Sequence, residues 1–260
     1  MVLATMTVFF QFLYNDIPAH SIQMHLIQTY STQTPEKTMT HLIYVADPMC
    51  SWCYGFGPEL QALLETIPDA KIDLVMGGLR AYNKQALDDA TRTMLLGHWQ
   101  HVAERSGLPF DEQALMRPGF IYDTEPACRA VVTARILTDD DSGRAVLAVF
   151  HAIQHGFYAS ARDVCDSAVL AELAVAAMNQ VEGEGSFDEA SFGETLASPM
   201  AMSDTRADFE QSQQWGIRGF PALLVLHDNA LHMIANGYTA RDDLIKSLQE
   251  LQQSSQKEQA

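Results

Sequence analysis

The chain has 260 residues, enough for one large domain or two small ones with a substantial hydrophobic core. Its 16 lysines and arginines stand against 33 aspartates and glutamates, and the resulting formal charge of −17 repels nucleic-acid phosphates and anionic membrane surfaces. With 47% hydrophobic residues and no run approaching the roughly 18–20 consecutive apolar residues of a membrane span, the composition is that of a soluble protein with no nucleic-acid or membrane partner.

In residues 1–38 no lysine or arginine precedes Lys37, and the apolar patch of residues 8–14 is interrupted by Gln11. A secretory signal needs a basic start and a longer unbroken apolar core, so this segment is expected to be a disordered or mis-annotated extension. Met39 is then the expected translation start, and the cytoplasm, rather than the periplasm, the expected compartment.

Residues 41–46 form a β-branched and aromatic run that Asp47-Pro48 terminates, as a buried first strand would be. Residues 59–65 have helical apolar spacing before Pro68, and Pro58, preceded by Gly55 and Gly57, is expected to kink that helix or delay its regular portion. Residues 71–76 alternate into Gly77-Gly78 as a second strand, completing a βαβ unit. Residues 84–215 carry almost no strand-like alternation. Helical stretches are expected there at 86–105, 126–137, 143–157, 167–178 and 203–215, with breaks at 107–109, 139–141 and 182–186. Residues 222–226 and 231–235 flank a loop at 227–230 as an antiparallel hairpin, and a last helix is expected at about 240–251.

Four cysteines in a chain of this length do not make a disulfide scaffold, and Cys50-Ser51-Trp52-Cys53 is the close pair. It falls at a strand-to-helix junction, where the helix dipole and free N–H groups favour the attacking thiolate at Cys50. Cys53, three residues on, is placed to resolve a mixed disulfide at Cys50. Gly219-Phe220-Pro221 precedes the third strand, and a cis X-Pro bond there would leave the Phe220 backbone free to bond an extended substrate. Cys128 and Cys165 read as small hydrophobes, although Cys165 retains the alternative of a third reactive thiol.

The order βαβ, helical insertion, Pro-led ββα, with Asp47-Pro48-Met49-Cys50-Ser51-Trp52-Cys53-Tyr54-Gly55-Phe56-Gly57-Pro58-Glu59 at the first junction, resembles the DsbA-like thioredoxin superfamily. Within it the chain is most similar to the FrnE-like group, through residues 125–130 and 157–164 as well. The resemblance covers roughly residues 40–250. It implies an α/β thioredoxin-like fold built from residues 39–83 and 216–255, interrupted by an all-helical insertion at 84–215. It also implies a protein disulfide oxidoreductase or isomerase in which Cys50 attacks, Cys53 resolves, and Trp52, Phe220 and cis Pro221 face the substrate. No bound cofactor or metal is expected beyond the redox-active cysteine pair, and the partner is a protein or small molecule bearing a thiol or disulfide, with glutathione as an eligible co-substrate. The Ser-Trp dipeptide lacks the histidine of strongly oxidising periplasmic members, which argues against a strongly oxidising potential.

Three alternatives stay open. The cysteine pair could join His151 and His155, four apart on one helix face, in a zinc site, although both read better as amphipathic helix residues, as do His98 and His101 beside Trp99. The same architecture serves glutathione transferases of the kappa class and hydroxychromene-carboxylate isomerases, but these generally present a serine without a second cysteine. The fold could also serve as a redox-inactive chaperone, with Met94, Met200 and Met202 lining a groove rather than filling core.

Overall fold

The computed structural model describes residues 39–181 and 185–258. The expectation for residues 1–38 lies outside these, as do residues 182–184 of the break expected at 182–186.

Strand β1 (His41–Ala46) runs parallel to β2 (Lys71–Met76), with His41 opposite Lys71 and Ala46 opposite Met76. On its other side β1 pairs antiparallel with β3 (Ala222–His227), and β4 (Ala230–Asn236) completes a sheet of order β2-β1-β3-β4. The strand that leads into the cysteine pair is therefore central. The β3–β4 loop is tighter than the four residues expected, because His227 pairs with Ala230 and only Asp228 and Asn229 turn the chain. Both have positive φ, 47° and 61°, the conformation a two-residue hairpin needs and which Asp and Asn tolerate best after Gly.

Period-two alternation puts Leu42, Tyr44 and Ala46 with Ile72, Leu74 and Met76 on one face, where all are buried. Helix α1 (Ser51–Thr66) lays Phe56, Leu60, Leu63 and Leu64 against that face, and α8 (Arg241–Glu258) adds Leu244 and Leu248. Val45, Ala222 and Leu224 look the other way, onto Ile217 and half-buried Trp215. Helix α1 is regular from Ser51, so Pro58 does not delay it. Proline removes one N–H, so the Tyr54 carbonyl loses its helical partner, but the buried apolar stripe outweighs that single bond. The final helix also outruns its expected end at about 251.

Seven elements fill the insertion: α2 (Asp89–Ser106), a 3-10 turn (Glu112–Leu115), α3 (Glu125–Leu137), α4 (Arg144–Tyr158), α5 (Ser167–Met178), α6 (Glu189–Leu196) and α7 (Pro199–Gln214). Helix α2 starts later than expected because the Asp88 side chain caps it, accepting from the Thr91 N–H, while Ala86 instead bridges to Ile121. Helix α6 had no sequence expectation, and α7 begins four residues before 203, where the Ser198 hydroxyl caps and Pro199 takes the first turn.

The insertion also covers the edge of β2. Arg135 of α3 donates to the Leu74 carbonyl (2.8 Å) and to both carboxylate oxygens of Asp208 on α7 (3.0 and 2.9 Å). Asp208 in turn accepts the Met76 N–H at 3.0 Å, and the Ser142 carbonyl accepts the Ile72 N–H at 2.9 Å. Gly143 follows with φ 76°, and a Cβ there would lie 1.7 Å from the Ile72 oxygen, so no other residue fits this approach. An edge that would otherwise offer free ladder groups is thereby closed.

Candidate active site

The site starts from the residue that ends β1. Asp47 is fully buried, and its carboxylate accepts the N–H groups of Met49 (2.8 Å) and Leu79 (2.6 Å) and the thiol of Cys128 (3.5 Å). Burial raises its pKa, and the hydrogen bonds it accepts, from Thr124 foremost, only partly offset this. The turn so fixed brings Cys50 to the N-cap of α1, with extended backbone (φ −90°, ψ 116°). The Cys50 N–H donates to the Asp47 carbonyl at 3.0 Å, and its carbonyl accepts from Tyr54 at 3.1 Å. The Tyr122 hydroxyl, from the insertion, donates to the Met49 carbonyl and ties the same turn from outside.

Cys50 retains 6% of its surface, whereas Cys53 is fully buried. Both are free thiols. Burial pushes the Cys53 thiol well up, and its hydrogen bond to Cys50 and the charge of Cys50 push the same way; the Asp47 backbone pulls it back in part.

The Phe220–Pro221 peptide is cis, and the Phe220 carbonyl lies 3.6 Å from the Cys50 sulfur. The Phe220 ring packs on Gly77, where a Cβ would come within 2.1 Å of it, so the ring has a packing role and the backbone is the part that faces Cys50. The Pro221 carbonyl accepts the Gly237 N–H at 2.7 Å, which ties the β4–α8 corner to the cis peptide. Trp52, half-buried, stands edge-on to His101 of α2 and to Tyr238, with ring centres 5.8 Å apart in each case. Arg105, one turn after His101, stacks over Tyr238 at 5.1 Å. Cys50 and the Phe220-Pro221 peptide thus meet, with Cys53 beneath, and Trp52 beside them contacts His101 and Tyr238, which carries Arg105 on its ring. The spacing of His101 and Arg105 marks one helix face, but nothing local says that Trp52 lies opposite.

Other candidates lie elsewhere. Cys128 is buried, and its thiol is held well up, by burial first. Burial raises Cys165 to about 11, and Arg162, its nearest cation in sequence, is engaged with Glu172 at 3.1 and 2.6 Å. His151 and His155 line a cavity of about 250 Å³ on the flank of α1 with Tyr54, Pro58, Leu108 and Gln154. No three metal-ligating side chains come together among the described residues. Met94, Met200 and Met202 are exposed rather than core-filling, but they line neither of the two best-formed cavities.

No protein-family model matches the chain, and no curated protein matches it. Solved structures do. A candidate protein disulfide isomerase from Nitrosomonas europaea is 35% identical, with 83% of this chain and 98% of that one aligned at a TM-score of 0.73. The cytosolic disulfide reductase DsbM from Pseudomonas aeruginosa is 26% identical over 81% of this chain and 97% of its own, at a TM-score of 0.63, and its structure with GSH aligns at 0.61. The chain belongs to the DsbA-like thioredoxin superfamily. It is a thiol-disulfide oxidoreductase. The DsbA of Xylella fastidiosa, 15% identical at a TM-score of 0.50, shares the fold. No described helix is long and apolar enough to cross a membrane.

Proposed function

We propose that Cys50 is the attacking cysteine and Cys53 the resolving one, in an enzyme that reduces or isomerises disulfides in the cytoplasm with glutathione as co-substrate. The Cys50 thiolate attacks a substrate disulfide, forming a mixed disulfide and releasing one substrate thiolate. The Cys53 thiolate then attacks the Cys50 sulfur, the second substrate thiolate leaves, and the protein holds the Cys50–Cys53 disulfide. Two electrons have passed to the substrate. Two glutathione thiols return them by the reverse exchange.

The observation that carries this reading is the asymmetry of the pair: Cys50 at a helix N-cap 3.6 Å from the Phe220 carbonyl, and Cys53 shut beneath it. A buried thiol with a raised pKa holds its proton until a sulfur is presented, so Cys53 acts second. An extended substrate segment lies against the Phe220 and Pro221 backbone with Trp52 as its flank. Reduction rather than oxidation is supported by the uncharged Ser51-Trp52 pair between the cysteines and by the likeness to a cytosolic reductase. Isomerisation uses the same first step and fits the likeness to the Nitrosomonas protein.

Thiol trapping across graded glutathione redox buffers tests the assignment. The wild type should form one intramolecular disulfide, Cys50→Ser should form no adduct at the site, and Cys53→Ser should accumulate a mixed disulfide visible by intact mass. A pair that never oxidises under any poise would overturn it. Turnover in a glutathione-conjugation assay that survives Cys53→Ser would instead favour the transferase or isomerase alternative.

A further inference from the structure

Tyr44 stands on β1 with its side chain fully buried against the first turn of α1. Phe56 and Phe150 hold the ring, with centres 5.9 and 5.5 Å away, so its packing is that of any core aromatic. Its hydroxyl is harder to account for. The bond it donates to the Cys53 carbonyl is 3.5 Å long, at the outer limit of a hydrogen bond. That carbonyl lies within regular helix, where the Gly57 N–H already serves it. A phenylalanine would fill the same space and bury no polar group. The hydroxyl therefore rests on a carbonyl that does not require it, and a second acceptor is within its reach, the Cys53 thiol itself.

We infer that the Tyr44 hydroxyl is a hydrogen-bond donor to the Cys53 thiolate in the resolving step, turning from the carbonyl to the sulfur as negative charge forms there. This rests on Cys53 being the resolving cysteine, as proposed above. A hydroxyl hydrogen rotates to suit its partner, and an anionic sulfur draws it more strongly than a neutral carbonyl already in use. The bond is thus weak while Cys53 holds its proton and strong once it does not, which is the condition for speeding a step rather than stabilising the resting protein. Cys53 is fully buried, away from the water that would otherwise solvate its charge, and burial pushes its thiol well up. The Asp47 backbone eases that charge in part, and Tyr44 adds the donor that the dry site lacks. Burial holds the Tyr44 phenol well up too, so Tyr44 keeps its own proton throughout. The covalent step is otherwise unchanged: the Cys53 sulfur bonds to the Cys50 sulfur, the bond from Cys50 to the substrate sulfur breaks, and the proton lost by Cys53 is made up on the departing substrate thiolate.

The test separates attack from resolution with an aromatic disulfide, dithiobis-nitrobenzoate, which releases one coloured thiolate when Cys50 attacks and another when Cys53 resolves. A Cys165→Ser background removes the half-buried third thiol, and Cys128 is fully buried. The parent protein should show a first phase proportional to reagent concentration and a second independent of it. Tyr44→Phe keeps the ring and loses the hydroxyl; it should leave the first rate within about twofold and slow the second by about ten- to hundredfold, as loss of a hydrogen bond to a charged group does. The dithiol–disulfide equilibrium against glutathione should stay where it is, because neither end state carries the Cys53 thiolate. An unmoved second phase overturns the inference. Equal slowing of both phases, a shifted equilibrium or loss of folding would mark the hydroxyl as structural and overturn it as well. In each of these cases the cysteine assignment stands. Release of a single thiolate by the parent protein overturns the cysteine assignment, and the inference with it.

Discussion

Burial displaces the proton affinity of several side chains, and His151, partly exposed on the wall of the α1-flank cavity but with its Nε2 shut from solvent, offers a test of it. His151 is held down at about 4 by desolvation, and its Nε2 has no hydrogen-bond partner among the described residues. In the unfolded chain the same imidazole takes its proton near 6.5. Between these values the unfolded state binds the extra proton, so stability is full above about pH 6.5 and is lost as pH falls toward 4. His151→Leu removes both the titration and an unsatisfied buried nitrogen. It should be more stable than wild type at pH 7 by about 1 kcal/mol, with an additional advantage of about 1 kcal/mol at pH 5.5. Urea unfolding at both pH values reads this directly, and an advantage that does not grow at the lower pH would show that His151 reaches solvent. Residue chemistry of this kind was only partly legible beforehand. The cysteine spacing and the Phe220-Pro221 pair declared themselves, because each is a short local pattern. The partners of Asp47, which come from β2's following loop and from α3, could not, because their meeting depends on the finished fold.

At the scale of elements, helix contacts are set by glycines whose roles differ. A Cβ on Gly55 would meet Val102 Cγ1 at 2.5 Å, so α1 and α2 approach closely there, and Trp52 and His101 reach each other on the same helix pair. Gly97, in the middle of α2, has nothing within 4 Å of a built Cβ. Gly97→Ala should therefore stabilise by about 1 kcal/mol through helix propensity alone, whereas Gly55→Ala should destabilise by about 1–3 kcal/mol through overpacking. Adding Val102→Ala to Gly55→Ala should recover part of that loss, measured as thermal unfolding midpoints. A Gly55→Ala variant as stable as wild type would mean that the two helices are free to slide apart. The strands and the longer insertion helices were legible from periodicity, since each buries one stripe. Helix α6 was not, because eight residues carry little periodic signal and its start depends on the Asp188 cap. The start of α7 could have been read from Ser198-Pro199, a cap followed by a first-turn proline.

For the whole molecule, the insertion is more than a passenger on the sheet. Its core side chains continue those beneath β1 and β2, and the Arg135–Asp208 clamp closes the β2 edge. Asp208 is nearly buried, and burial raises its pKa even with Arg135 beside it. Arg135→Ala would strand that carboxylate and free the Leu74 carbonyl; because Arg135 is itself over a third exposed, solvent screens the pair and the expected cost is about 1–3 kcal/mol. Hydrogen exchange should show β2 losing protection first, and uniform loss across the fold would point to a general effect instead. None of this clamp is visible as a motif, since α3, α7 and β2 are far apart in sequence.

The contact between Cys50 and the Phe220 carbonyl joins residues 170 positions apart, and β1 must wait for β3 to gain its second neighbour. A ribosome working at the usual pace takes about 10–30 s to cover that interval. Throughout it, the emerging chain carries two thiols whose covering strand has not yet been made. Newborn copies therefore offer both thiols to the oxidants and reductants around the translating ribosome before the site that covers them is complete.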